Sequence, residues 1–295
     1  MKIKLLFPAL LAPVLFLPGC IPHVQQQNYY VSPMNGNQGE YHALPQLTDS
    51  AHTAVYAHVG YAGGKTNQEK TDYYHSFRGA ITAAHHVGMF QFYYGLDLSL
   101  GTYYLGKWDT GHIFLGPITD PPAATAILNS FSGGKFYGGV GFSGGVNLVL
   151  PIAGGEWRIL GVETDMHREF GDYLAFRKKL PDSLATLNIR SNFYTTVGLT
   201  TEMIGRTRDG EFGFRMALGQ GLGPYYHTNV YDYESKHFLN YSYFDVSFHY
   251  TWDRYTAYLQ GGWAEQANSF QIGLQYRLGR PRLAPKPARA PKGGH

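Results

Sequence analysis

Cys20 is the sole cysteine in 295 residues, so no disulfide within the chain can staple the fold. Past the first 20 residues no apolar run reaches the roughly 18 residues that a membrane helix requires, and mean hydropathy is −0.26. A helical membrane protein is therefore excluded. Charge is also sparse, at 15% of residues, and is not gathered into a basic face. Of 24 Lys and Arg, two are Lys2 and Lys4 and five follow Gly279, which leaves 17 against 21 acids in residues 20–279. Nucleic acid as a partner needs clustered cations on a folded surface and is not expected. Nothing points to a cofactor.

What the chain has in quantity is 24 Tyr, 18 Phe and 37 Gly. Aromatics suit pleated surfaces, and glycine suits bends and close backbone approach. From Ala54 on, apolar and polar residues alternate in ten successive runs, the mark of strands with two unlike faces. In the first, Val55, Ala57, Val59 and Tyr61 oppose Tyr56, His58 and Gly60; in the third, Phe90, Phe92, Tyr94, Leu96, Leu98 and Leu100 oppose Gln91, Tyr93, Gly95, Asp97 and Ser99. The fifth starts at Trp157 and is read as far as Phe176; the last covers Phe270 to Leu278. A soluble sandwich would fill its polar faces with Lys and Glu, whereas these carry Gly, Ser, Thr, Gln and Tyr. The pattern predicts an all-β fold, a transmembrane antiparallel up-and-down β-barrel of about ten strands, with eight or twelve if the fifth run merges or splits.

Connections between runs alternate long and short: 64–73, 107–133, 177–191 and 221–239 are long, and 85–88, 151–156, 206–210 and 251–254 are short, as is 264–268. Outer-membrane barrels place short turns in the periplasm, and an even strand number sends both termini there. His85-His86 is expected in such a turn. Tyr225, Tyr226, Tyr231, Tyr233 and Tyr241 fall in the long connection 221–239, a candidate contact surface for a partner.

The first residues form a secretory leader, with Lys2 and Lys4 before the apolar Leu5 to Leu17. The segment Leu17-Pro18-Gly19-Cys20 resembles the lipobox of bacterial lipoproteins, although Pro18 departs from the usual small or β-branched residue. That resemblance implies cleavage after Gly19, lipidation of Cys20 and, with Ile21 next, delivery to the outer membrane with the lipid in its inner leaflet. The expected organisation is a signal peptide over 1–19, a lipidated N-terminus and periplasmic tether over 20–52, a barrel over 53–279, and a basic, Pro-containing periplasmic tail over 280–295. The tether reading rests on residues 21–50 lacking any sustained period. The tail, with Arg280, Arg282, Lys286, Arg289 and Lys292, is a candidate contact for peptidoglycan carboxylates.

Gln271 to Leu278 resembles the β-signal read by the barrel assembly machinery: polar Gln271, then Gly273, aromatic Tyr276 and hydrophobic Leu278. It departs from the usual terminal position, because the tail follows it.

On the fifth run Glu163, Asp165, His167 and Glu169 share one face, while Trp157 and Ile159 have the same parity yet suit lipid. A bulge near Leu160-Gly161 must switch the phase. Opposite these acids the lumen should hold His58, Arg78, Asp97, Glu202, Arg215, Asp245, His249 and Arg277. Mutual neutralisation is the expected role, since buried charges need partners. The Asp165-x-His167 element also resembles that of omptins, ten-stranded outer-membrane proteases, without their opposing Asp pair. Metal binding by Asp165, His167 and Glu169 would need a second strand to complete coordination. No catalytic residue and no metal site are assigned. The role expected is non-enzymatic, structural or interactive, with a narrow solute channel and an omptin-like hydrolase as alternatives.

If Gln271 to Leu278 directs assembly, deleting residues 280–295 should leave a heat-modifiable barrel in the outer membrane. Tyr276→Ala combined with Leu278→Ala should instead leave degraded or periplasmic chains. The opposite pattern on gels of fractionated cells would place the recognition strand elsewhere.

Overall fold

The computed structural model describes residues 29–34, 41–45, 53–67, 72–107, 121–181, 184–185, 187–229, 232–264 and 267–279. The leader, Cys20 and the tail 280–295 lie outside the described residues, as does Tyr231. Ten antiparallel strands close into a barrel: β2 (Thr53–Thr66), β3 (Tyr73–Val87), β4 (Phe90–Leu105), β5 (Gly133–Ile152), β6 (Gly155–Phe170), β8 (Phe193–Arg206), β9 (Glu211–Asn229), β10 (Asp232–Trp252), β11 (Tyr255–Ala264) and β12 (Ala267–Leu278). Two short strands, β1 (Tyr29–Tyr30) and β7 (Leu187–Asn188), pair with each other, and β7 pairs with β9. The seam joins β12 to β2 in unbroken register from Ala267↔Thr66 to Leu278↔Val55.

The alternation seen in the sequence is the alternation of the wall. Val59, Phe77, Ile81, Leu96, Leu218 and Ile272 stand on the outside, while Tyr56, Ser76, Gln91, Asp97, Ser143, Thr200 and Gln275 are buried within. An apolar exterior around a polar interior is the inverse of a soluble barrel and suits acyl chains. Outward aromatics gather near both rims. Tyr73 stacks on Tyr104 with centroids 4.9 Å apart, and Phe244 on Trp263 at 6.0 Å, at one end; Tyr250, Trp252, Tyr255 and Tyr276 form a chain of ring contacts at the other. Such paired girdles mark the two water–membrane interfaces.

One rim carries the tight turns. Gly154 adopts φ 81 between β5 and β6, and Asp253 adopts φ 50 between β10 and β11. These are the left-handed conformations that two-residue hairpins require. The other rim carries the long connections, including the helices Pro121–Ser130 and Asp172–Lys179.

Four expectations are corrected. The fifth run ends at Phe170, and Gly171, with φ 115, opens the helix that takes up residues 172–179. His85 and His86 belong to β3, the turn following at Gly88 with φ 61. The connection expected over 221–239 is mostly strand, since β9 and β10 continue as one long hairpin with register irregularities at His237/Leu239 and Leu239/Ser242. Tyr225, Tyr226, Tyr233 and Tyr241 thus lie on strands.

The fourth correction is the largest. The stretch read as a periplasmic tether is, where described, inside the barrel: residues 29–34 and 41–45 are buried throughout. A lumen lined with hydrogen-bonding groups supplies the partners that an irregular backbone needs, so this segment does not require a periodic sequence to be ordered.

Lipid contact should make the outer face sensitive to charge according to depth. Ile81→Arg, at mid-strand on the outer face, should lower barrel stability by about 2–4 kcal/mol, whereas Phe90→Arg at the rim should cost about 0–1 kcal/mol. Unfolding midpoints in detergent or liposomes, read by gel heat-modifiability, check this; equal costs would contradict the membrane assignment of the apolar belt.

Candidate functional site in the lumen

The bulge demanded by the parity conflict is present. Arg158 pairs with Glu202 and Gly161 with Thr200 on β8, so one extra residue of β6 is accommodated between them. Its consequence is that Arg158 below the bulge and Glu163, Asp165, His167 and Glu169 above it all face inward.

These side chains form separate clusters along the barrel axis. Near the rim of long connections, Glu169 is held by Arg177 from the helix Asp172–Lys179, and both are fully buried. Burial disfavours the Arg177 charge, but Glu169 together with Tyr173 and Tyr194 more than offsets this, so its pKa is raised above the ordinary value. Arg177 also donates to the Ile189 carbonyl at 2.6 Å, and Tyr194 donates to Glu169 at 3.1 Å. Around this pair Tyr30, Tyr74, Tyr103, Tyr137, Tyr173 and Phe176 make an aromatic cap, with Tyr103 and Tyr173 stacked at 3.9 Å.

Deeper, His167 Nε2 meets Asp97 Oδ1 at 2.8 Å across the barrel wall. Gly141 lies between β4 and β6 beside this pair; a Cβ there would stand 2.2 Å from the His167 ring and 2.6 Å from Asp97 Oδ1. Only glycine leaves the His167 ring and the Asp97 carboxylate room to meet. Asp165 accepts from Thr196 at 3.3 Å, and Glu163 receives both Arg215 and the Tyr93 hydroxyl, the latter at 3.0 Å. Asp245 is buried in the same lumen. Toward the tight turns, Arg158 joins Glu202 and Glu156, the latter at 2.6 Å.

The N-terminal segment completes these clusters. Ser32 bonds the Tyr194 hydroxyl, and the Pro33 carbonyl accepts from Arg78 at 3.1 Å. Tyr41 gives its hydroxyl to Glu202 at 3.2 Å and meets His249 Nδ1 at 2.9 Å, while Arg215 lies 5.2 Å over its ring. Its backbone N–H reaches Gln271 at 3.4 Å. His42 bridges Thr82 at 3.1 Å and Ser143 at 2.8 Å. The Ala43 carbonyl accepts from Gln275 at 2.8 Å, and the Leu44 carbonyl from Arg158 at 2.5 Å. The cavity left beside His42, Leu44, Glu163, Asp165 and Arg215 has a volume of about 20 Å³, room for roughly one water molecule.

Of the residues singled out from sequence, Arg78, Asp97, Glu163, Asp165, His167, Glu169, Arg215, Asp245 and His249 therefore share the lumen, though in several clusters. Arg277 stands apart in the vestibule at the tight-turn rim, a cavity of about 280 Å³ that Pro45, Tyr56, Arg206, Glu211, Asp253 and Arg254 also line. Asp165, His167 and Glu169 diverge to Thr196, Asp97 and Arg177, so one strand does not bring them onto a common ligand. Gln271 faces the lumen, Leu278 lies outside, and the Tyr258 ring covers Gly273, where a Cβ would come 2.4 Å from its hydroxyl. Arg158, Arg177 and Tyr41 were not singled out. The inward phase of Arg158 follows once the bulge is placed, whereas Arg177 lay at the start of the connection expected over 177–191 and Tyr41 in the aperiodic stretch.

No family model matches the chain, and neither does any curated protein. Solved structures similar to it include the translocator domain of the autotransporter NalP from Neisseria meningitidis, at 8% identity over 78% of this chain and 89% of that one, with TM-score 0.34. The β domain of the Bordetella autotransporter BrkA is 8% identical over 77% and 99% of the two chains, with TM-score 0.39. The outer membrane protease OmpT from Escherichia coli is 9% identical over 76% and 95%, with TM-score 0.33. All are outer-membrane barrels, and at this level of likeness none bears on what the chain does.

The ion pairs should differ in weight according to burial. Arg177→Ala strands the carboxylate of Glu169 in the interior and should cost about 3–5 kcal/mol, while Arg206→Ala, at an exposed pair 4.0 Å long, should cost about 0–1 kcal/mol. Urea midpoints of the refolded barrel measure both. Similar costs would mean that the lumen pairs are solvated.

Proposed function

We propose that this chain is an outer-membrane lipoprotein, acylated at Cys20, whose barrel is occupied by its own N-terminal segment and serves a non-enzymatic structural or interaction role. The observation that carries this reading is the fit of that segment: wall side chains hold three of its backbone carbonyls, at Pro33, Ala43 and Leu44. A peptide bound through its backbone at several depths behaves as part of the wall. Two alternatives are less well supported. A channel would require this segment to leave, breaking the contacts of Tyr41 and His42 along with those carbonyl bonds. An omptin-like hydrolase would require substrate at Asp165 and His167, but His167 is buried against Asp97 and beside the Tyr194 ring, at 6.2 Å.

The lipid-facing belt and its girdles support residence in the outer membrane, with the tight turns periplasmic and the long connections at the surface. Outer-membrane lipid and the assembly machinery are then the obligate partners. The face of long connections would meet a protein partner, and the tail after Gly279 would reach the periplasm, toward peptidoglycan.

Planar-bilayer recording of the full chain separates the readings. A plugged barrel should insert without sustained single-channel steps. A persistent ohmic conductance scaling with salt would favour the channel.

A further inference from the structure

The filling segment has a direction. Tyr29 donates its N–H at 2.7 Å to Asn67, just past the end of β2, and Tyr29–Tyr30 pair with Leu187–Asn188, which pair with His227 and Tyr226 of the long hairpin. Tyr29 also packs with Val31, Ile189 and Ala267, the last at the start of β12. All of these belong to the rim of long connections. Ser32 and Met34 follow below, beside Tyr194 and Gly139. Tyr41 and His42 lie at mid-barrel, Leu44 at Arg158, and Pro45 in the vestibule with Arg206, Thr207 and Asp253 beside the tight turns. Thr53 then opens β2 from that same tight-turn rim.

We infer that the chain is threaded: it enters the barrel from the face of long connections, runs down the lumen, emerges among the tight turns and climbs back as β2. The residues before Tyr29 consequently lie on the long-connection side, opposite to the side that an even strand number alone assigns to the N-terminus. The reach of the chain fixes this for Cys20 as well. Cys20 precedes Tyr29 by nine residues. Fully extended, these cover at most about 32 Å, too little to skirt the rim and pass an apolar belt about 25 Å tall on the outside. Resting on the lipoprotein reading, the consequence is that the acyl chains anchor in the leaflet next to the long connections. With the tight turns periplasmic, that is the outer leaflet. The expectation of an inner-leaflet anchor is replaced.

The test uses the full chain in cells and a membrane-impermeant maleimide. Gln26→Cys reports on the threaded end, Lys179→Cys in the exposed helix on the long-connection rim, and Asp209→Cys in the tight turn after β8. Intact cells should label Gln26→Cys together with Lys179→Cys, and Asp209→Cys only after permeabilisation. Gln26→Cys labelling with Asp209→Cys instead, or only after unfolding, overturns threading. If intact cells label Asp209→Cys and not Lys179→Cys, the proposed orientation fails, and threading is still decided by which of the two Gln26→Cys follows. Incorporation of a fatty-acid probe, lost in Cys20→Ser, tests the lipid separately; absence of incorporation in the parent chain sinks the lipoprotein reading and leaves the maleimide pattern to judge the thread.

Discussion

The requirement that every backbone N–H and C=O within lipid find a partner in the chain itself governs the rest of the structure. An open sheet would leave two edges bare in hydrocarbon, so β12 must pair with β2, and it does so without interruption from Ala267 to Leu278. Closure then divides every strand into an outer and an inner face. Lipid selects Val59, Ile81, Leu98 and Ile272 on one side. On the other, ten strands enclose a space that the wall fills in part, His167, His249 and Tyr243 lying over Gly141, Gly213 and Gly219, whereas Met34 of the N-terminal segment lies over Gly139. The N-terminal segment and the aromatic cap take up that space.

Charge in the lumen follows from the same constraint. Once enclosed, a carboxylate is costly unless paired, and the pairs seen here link strands distant in sequence: Asp97 with His167, Glu163 with Arg215, Arg158 with Glu202. Each pair bridges wall to wall or wall to cap, and several reach the threaded segment through Tyr41 or Leu44. Removing the segment would strand polar groups at several depths simultaneously, which is why it is better regarded as interior wall than as a detachable lid.

The wall was legible in the sequence because lipid and lumen impose opposite chemistry on alternate residues, and a period of two survives even where glycine replaces side chains, as along Tyr137 to Asn147. The bulge in β6 was legible for the same reason: Trp157 and Glu163 share parity but not environment, and only an extra residue reconciles them. The helix after Phe170 was not, since Tyr173, Leu174 and Phe176 prolong an apolar pattern that a strand explains equally well. The stretch 221–239 was expected as a connection, yet β9 and β10 run through most of it, paired across irregular register. The threaded segment was the least legible element. Its carbonyls at Pro33, Ala43 and Leu44 make the bonds that hold it, and backbone groups are the same whatever the residue, so no side-chain pattern announces them. The clustered aromatics Tyr29, Tyr30 and Tyr41 were the one available hint.

Threading also orders assembly. A segment with chain continuing on both sides cannot be drawn sideways into a closed cylinder; its free end must pass along the axis, or the cylinder must close around it. Closure around the segment lets the wall's bonds to Pro33, Ala43 and Leu44 form as the strands come together, and the β12–β2 pairing completes the cylinder. Gln271 and Gln275 sit in that seam strand and bond the backbone of Tyr41 and Ala43, so the strand that seals the barrel also grips the segment inside it. Segment placement and wall closure are therefore coupled steps of one process, and the residues of β12 that face inward are constrained by the thread as strongly as Tyr276 and Leu278 are constrained by lipid.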